Sequence, residues 1–246
     1  MAASPVEKTV PFADERTPQN HPAPARNGTP PLNSGDFLTR SEFERRYHAH
    51  PELKKAELIE GIVYMPSPVS AKLHGDPHFN LITWLGVYGA NVPGLRGSDN
   101  ATLRLDNIND PQPDALLRFD AAQGGRSRLD AEGYLEGPVE FVLEVAASSA
   151  SYDMNQKKAV YARHGIQEYL VVLTHEQRVA WFVLRDGGYA EIVADADGVL
   201  RSETLPGLWL KEAAIWENDL AGLLATVQHG LAAPEHAAFL QSLSLI

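Results

Sequence analysis

Two carboxylates sit in apolar stretches of the chain. Asp114 follows Pro113 and opens the run that continues through Ala115, Leu116 and Leu117, and Glu144 lies among Phe141, Val142, Leu143 and Val145. A lysine, Lys157, comes next in order. An ionised side chain in an interior strand costs several kcal/mol unless it is paired or bound to a cation. Two carboxylates converging at neighbouring strand ends repel each other and raise one another's pKa unless a divalent cation lies between them. With no cysteine in the chain, ligands must be oxygen or imidazole, and hard oxygen ligands point to magnesium or manganese. Asp153, Lys157 and Tyr161 are spaced by four, so a helix there carries them on one face, with Lys158 turned to solvent. A lysine beside a scissile phosphate can orient the attacking water or neutralise developing charge. Each residue also has a plainer reading: Asp114 as a turn cap, Glu144 paired with an arginine, Asp153 and Lys157 as a surface helix pair.

The elements that would position these groups can be read from the pattern. Residues 1–34 hold many prolines and few large apolar groups, a composition that predicts a disordered tail, with order starting at Leu38. Thr39 and Glu42 have capping-box spacing, and the helix they open should end before His50-Pro51. Residues 56–65 predict a hairpin turning at Glu60-Gly61, and a helix follows over 72–90. Two strands are expected between 96 and 119, joined at 106–110, then a mobile insertion or short helix over 120–137. The run 138–146 predicts the most buried strand, followed by a helix over 152–164 that His164-Gly165 stops. Strands over 168–173, 179–184 and 189–193, a helix over 212–229 and a short one over 234–243 complete the reading. The sum is an α/β protein with a mixed central sheet flanked by helices: a tail (1–34), one domain (35–230) and a C-terminal extension (231–246).

Composition narrows the function. Lys and Arg number 21 against 32 Asp and Glu, a net charge of −11, which disfavours a protein whose affinity rests on phosphate contacts. Arg40, Arg45, Arg46, Lys54, Lys55 and Lys72 gather several cations early in the chain, either a local basic strip or a solvated helix face. No apolar run reaches the roughly 20 residues of a membrane span and no secretory signal is visible, so a soluble cytoplasmic protein is expected. The pairs Gly124-Gly125 and Gly187-Gly188 match neither phosphate-cradling glycine pattern, and no GxSxG elbow occurs. His74 and His78 are four apart, but no HExxH accompanies them; His74 is retained as a site residue.

The segments ELIEGIVYMPSP with His74 downstream, Pro113-Asp114, VEFVLEVAASSAS and DMNQKKAVYARHGIQEYLVVL together resemble the Uma-two family of predicted endonucleases, a branch of the PD-(D/E)XK nuclease superfamily. The resemblance runs from about Leu38 to Trp216. It implies a restriction-endonuclease-like fold with extra C-terminal strands and a helix, Mg2+ (or Mn2+) held by Asp114 and Glu144, and Lys157 as the motif lysine. Ala146, two positions after Glu144, departs from the superfamily pattern, so the lysine is a migrated one. Glu57 matches the acidic residue ahead of the sheet, as a third ligand or water-positioning group. The implied activity is metal-dependent hydrolysis of DNA, with a homodimer left open. A catalytically weak nuclease-fold binding module and a hydrolase of a small phosphorylated substrate are the alternatives.

Overall fold

In the computed structural model the described residues are 28–66 and 68–243; residues 1–27, Ser67 and 244–246 lie outside them, and with them most of the expected tail. The chain begins with α1 (Arg40–Ala49), the hairpin β1 (Glu57–Ile59) and β2 (Ile62–Tyr64), a π-helical turn over Ala71–Gly75, and α2 (Asp76–Ala90). Next come β3 (Leu95–Asp99), β4 (Leu103–Arg104), β5 (Ala115–Phe119), β6 (Arg128–Leu129), β7 (Leu135–Glu136) and β8 (Phe141–Ala146). One helical run follows: α3 (Ala150–Tyr152), a second π-helical turn over Asp153–Lys157, and α4 (Lys158–Arg163). After it come β9 (Glu168–Leu173), β10 (Arg178–Arg185), β11 (Gly188–Glu191), β12 (Val199–Arg201), β13 (Trp209–Lys211), α5 (Glu212–Trp216), α6 (Leu220–Leu231) and α7 (Pro234–Leu243).

Six strands form the central sheet in the order β11-β10-β9-β8-β5-β3. Only β8 and β9 run parallel, and the helical run 150–163 is the crossover such a pair requires. Every residue of β8 is buried, which explains why all but Glu144 are apolar: helices cover both of its faces. Phe141, Leu143 and Val145 pack with Leu81, Trp84 and Tyr88 of α2 and with Trp181, whereas Val142 and Ala146 pack with Tyr161 and Tyr169 on the other face. Glu144 alternates onto that second face. In β5, Ala115, Leu117 and Phe119 share the α2 face and Leu116 the other, so Asp114 falls on the same face as Glu144. The antiparallel register Ala115↔Leu143, continued by one residue, sets Asp114 opposite Glu144.

The hairpin forms as its turn residues dictate: Glu60 and Gly61 both have positive φ, 51° and 78°, as a two-residue loop between twisted strands requires. The helix after β8 ends at Gly165, φ 77°, where Gly165 and Ile166 donate back to the carbonyls of Ala162 and Tyr161.

Several expectations are corrected. Order begins before Leu38, because Leu32 is buried with Phe43 and Leu58 and the Gly35 N–H donates to Val63. Thr39 makes no side-chain cap, and Glu42 binds Arg45 and Arg46 instead of completing a capping box. The segment 120–137 holds the expected short helix only as one 3-10 turn over Ala121–Gln123; beyond it, in place of a mobile insertion, β6 and β7 join β4 in a three-stranded sheet. Arg104 fastens that sheet to α1, pairing with Glu44, Asp130 and Glu132 and lying over the Tyr134 ring. The expected helix over 212–229 breaks into α5 and α6, since Asn218 takes φ 51° and Asp219 caps the second helix through the Gly222 N–H. The short strands β12 and β13 were too brief to be read from pattern.

Candidate active site

The site lies where β5 and β8 meet the two π-helical turns. Pro113 sets the backbone just before β5, and the Asp114 carboxylate turns back to accept the Val145 N–H at 2.9 Å, which ties the two strand ends together. Its other oxygen, Oδ1, takes Lys55 Nζ at 3.2 Å and lies 3.7 Å from His74 Nε2. His74 also contacts the Val145 carbonyl, 3.3 Å from its Nδ1, and its ring stacks on His78 at 5.4 Å.

Across the strand pair, Glu144 Oε1 accepts both Lys157 Nζ at 2.7 Å and the Tyr161 hydroxyl at 3.1 Å. Its Oε2 takes no hydrogen bond among the described residues. Lys157 is 3% exposed and bridges further, to Glu57 Oε1 at 2.8 Å and toward Asp153 Oδ1 at 3.6 Å. Glu57, the first residue of β1, is fixed by the Gln112 N–H at 2.7 Å. The expected helix face therefore points inward, and both π-helical turns carry site residues, His74 on one and Asp153 with Lys157 on the other. Such turns recur at functional sites because one wider turn redirects the side chains it holds. Lys158 is turned to the other side of the helix, 3.6 Å above the Phe182 ring.

Four carboxylates (Glu57, Asp114, Glu144, Asp153) thus surround two ammonium groups (Lys55, Lys157), a formal charge of −2 when all are ionised. Burial pushes the Glu144 carboxyl well up, against Lys157, and Asp153, Asp114 and Glu57 push the same way. Burial likewise raises Asp153. Burial works against the Lys157 ammonium, but Glu144 and Glu57 outweigh it and hold its pKa well above the ordinary lysine value. For Asp114 burial is overcome by Lys55, the Val145 N–H, Lys157 and His74, and its pKa is lowered. The cluster is short of positive charge, which is what a divalent cation supplies.

All five sequence-derived site residues, Asp114, Glu144, Lys157, Glu57 and His74, converge here. The reading missed Lys55 as a member, although its place two residues before Glu57 is the spacing that puts extended-chain side chains on one side. Of the two readings of the early cations, the pairing along α1 favours the solvated helix face over the basic strip. Arg45 and Arg46 are spent on Glu42 and Asp36, and Arg40 lies 3.7 Å from Glu44, which leaves Lys54 and Lys72 exposed and without an ion pair to any described residue.

The donor set fits a small hard cation. No three His, Asp or Glu side chains form a ready-made cage among the described residues. Magnesium needs none, since it keeps several waters and uses one or two carboxylates. Asp114 and Glu144, opposite in register, with Glu144 Oε2 uncommitted, meet that need.

A family model described as "Putative restriction endonuclease", Uma2, matches residues 40–213. The chain belongs to the Uma2 family. All the site residues named above fall inside the matched segment. The crystal structure of a putative nuclease belonging to DUF820, from Anabaena variabilis, is similar with a TM-score of 0.55 at 15% identity, over 76% of this chain and 99% of that one. At that identity the likeness concerns the fold: a mixed central sheet flanked by helices, as expected for this Uma2 chain. No curated protein matches the chain. No helix among the described residues is long and apolar enough to cross a membrane.

Proposed function

We propose that this Uma2 protein is a metal-dependent endonuclease that hydrolyses DNA phosphodiester bonds. The observation that carries the reading is the cross-strand pair of Asp114 and Glu144 beside the buried Glu57–Lys157–Glu144 bridge. Family membership and the nuclease described for the similar fold support it. Asp114 and Glu144 would hold Mg2+, with Mn2+ as a substitute. When bound, the ion supplies Lewis acidity and neutralises phosphoryl charge. Glu57 serves as the water-positioning carboxylate, held by Lys157 and the Gln112 N–H. Lys157 holds Glu57 and Glu144 together, and removing its ammonium from among these buried carboxylates costs about 3–5 kcal/mol. His74 braces the Val145 carbonyl and the Asp114 side of the site.

Purified protein should nick supercoiled plasmid in magnesium and not in chelator, and Glu144→Ala should not nick it. Magnesium-independent nicking, or equal nicking by the variant, would overturn the assignment. One observation favours a second reading, hydrolysis of a small phosphorylated substrate: α1 neutralises its own arginines, and the chain carries −11 overall. Intact plasmid together with Glu144-dependent hydrolysis of a small phosphodiester would select it.

A further inference from the structure

The two lysines of the cluster are not equivalent. Lys157 is 3% exposed and faces three carboxylates, at 2.7, 2.8 and 3.6 Å. An ammonium has three donors, so Lys157 could approach a phosphate only by abandoning buried anions. Lys55 is 24% exposed. It spends two donors, one on Asp114 Oδ1 at 3.2 Å and one on Asn100 Oδ1 at 3.0 Å, and has no third partner among the described residues.

Its anchor is built rather than incidental. Asn100 holds the left-handed conformation, φ 50°, a position uncommon for a residue other than glycine. The Asn100 N–H donates to the Asp114 carbonyl at 3.2 Å, Gln112 Nε2 donates to the Asn100 carbonyl at 2.7 Å, and the Asn100 amide donates to Asp99 Oδ1 at 2.7 Å. That last bond leaves the amide oxygen facing Lys55. Lys54, the residue before it, is exposed.

We infer that Lys55, anchored by Asn100 at the open edge of Asp114, is the cation that touches a backbone phosphate of the nucleic acid, and that Lys157 is a positioning residue. The inference rests on the nuclease reading and assigns that reading's substrate contact to a residue it did not use.

The test measures binding of a short fluorescein-labelled DNA duplex across a salt series, in calcium, for wild type, Lys55→Met, Lys55→Arg and Lys157→Met. Plasmid nicking in magnesium and melting with and without manganese are measured on the same proteins. Lys55→Met should keep the manganese-induced rise in melting temperature, lower the salt slope of binding by about one, and nick roughly a hundredfold more slowly. Lys55→Arg should restore the slope. Lys157→Met should lower the melting temperature and leave the slope unchanged. Should Lys55→Met fail to fold, Lys55→Gln, which can still reach Asn100 or Asp114, gives the same comparison. An unchanged slope in the Lys55 variants, or a loss of slope confined to Lys157→Met, overturns the inference. Wild type that nicks while the Lys55 variants match it sinks the Lys55 contact alone. Wild type that does not nick, with a Lys55-dependent slope, sinks the nuclease reading alone, and wild type that neither binds nor nicks sinks both.

Discussion

Glu144 and Glu168 lie on neighbouring parallel strands, β8 and β9, both buried, on opposite faces of one sheet. Burial pushes both carboxyls up. What surrounds them differs. Glu168 accepts Trp181 Nε1 at 2.9 Å, the Ser202 hydroxyl at 2.8 Å and the N–H groups of Glu203 and Thr204 at 2.8 and 2.7 Å. These are neutral donors, and together they pin the segment leading to β13 onto the sheet. Glu144 has a lysine, a tyrosine, three further carboxylates and an uncommitted oxygen. A buried carboxyl saturated by neutral dipoles is a structural anchor, whereas one left among like charges is a candidate for chemistry.

The largest expected effects separate the two glutamates directly. Glu144→Ala should reduce nicking by at least roughly 10²–10³-fold while the fold persists, since the change also relieves repulsion among the carboxylates. Glu168→Ala should do the reverse, lowering unfolding free energy by about 3 kcal/mol or more through donors left buried without an acceptor, with the folded fraction still active. Denaturant titration and nicking on the same preparations check both; a destabilised Glu144→Ala paired with an inactive but stable Glu168→Ala would invert the comparison.

Next in size is the response to metal. Manganese at about a hundred times its dissociation constant should stabilise the wild type by about 2.7 kcal/mol. Asp114→Asn should lose that gain and Glu168→Gln should keep it. Equal stabilisation of all three proteins in thermal melts would put the ion elsewhere.

A third buried carboxylate sharpens the contrast further. Asp110 has an unpaired Oδ1, and its pKa is pushed up to about 7 by burial, with Glu44 adding and Arg104 and Arg40 opposing. A carboxyl raised in the folded state disfavours folding once ionised, because the unfolded chain gives up its proton first. Its contribution should therefore be neutral below the ordinary aspartate value of 3.8, cost stability as pH rises from there to about 7, and level off above. Asp110→Asn should remove that slope between pH 4 and 7; an unchanged pH profile in urea titrations would show that Asp110 does not ionise there.

Much of this was written locally. The nearly continuous apolar run of Val139, Phe141, Val142, Leu143 and Val145 told which strand would be buried, and the turn at Glu60-Gly61 could close only one way. The spacing of Asp153, Lys157 and Tyr161 fixed a shared helix face. Those signals survive in sequence because backbone periodicity and turn stereochemistry act over a few residues. Partnerships between distant segments do not. Lys55 meets Asp114 across 59 positions and Asn100 across 45. Arg104 binds Glu44 in one stretch of chain and Asp130 and Glu132 in another, and so ties the expected insertion over 120–137, as a sheet, to α1. Arg45 and Arg46 look like free cations in the sequence until Glu42 and Asp36 are found to take them. The sequence by itself determined which side chains would be buried and which residues could share a face. The tertiary structure alone decided which charges cancel and which are left over, because a long side chain chooses its partner by distance in space.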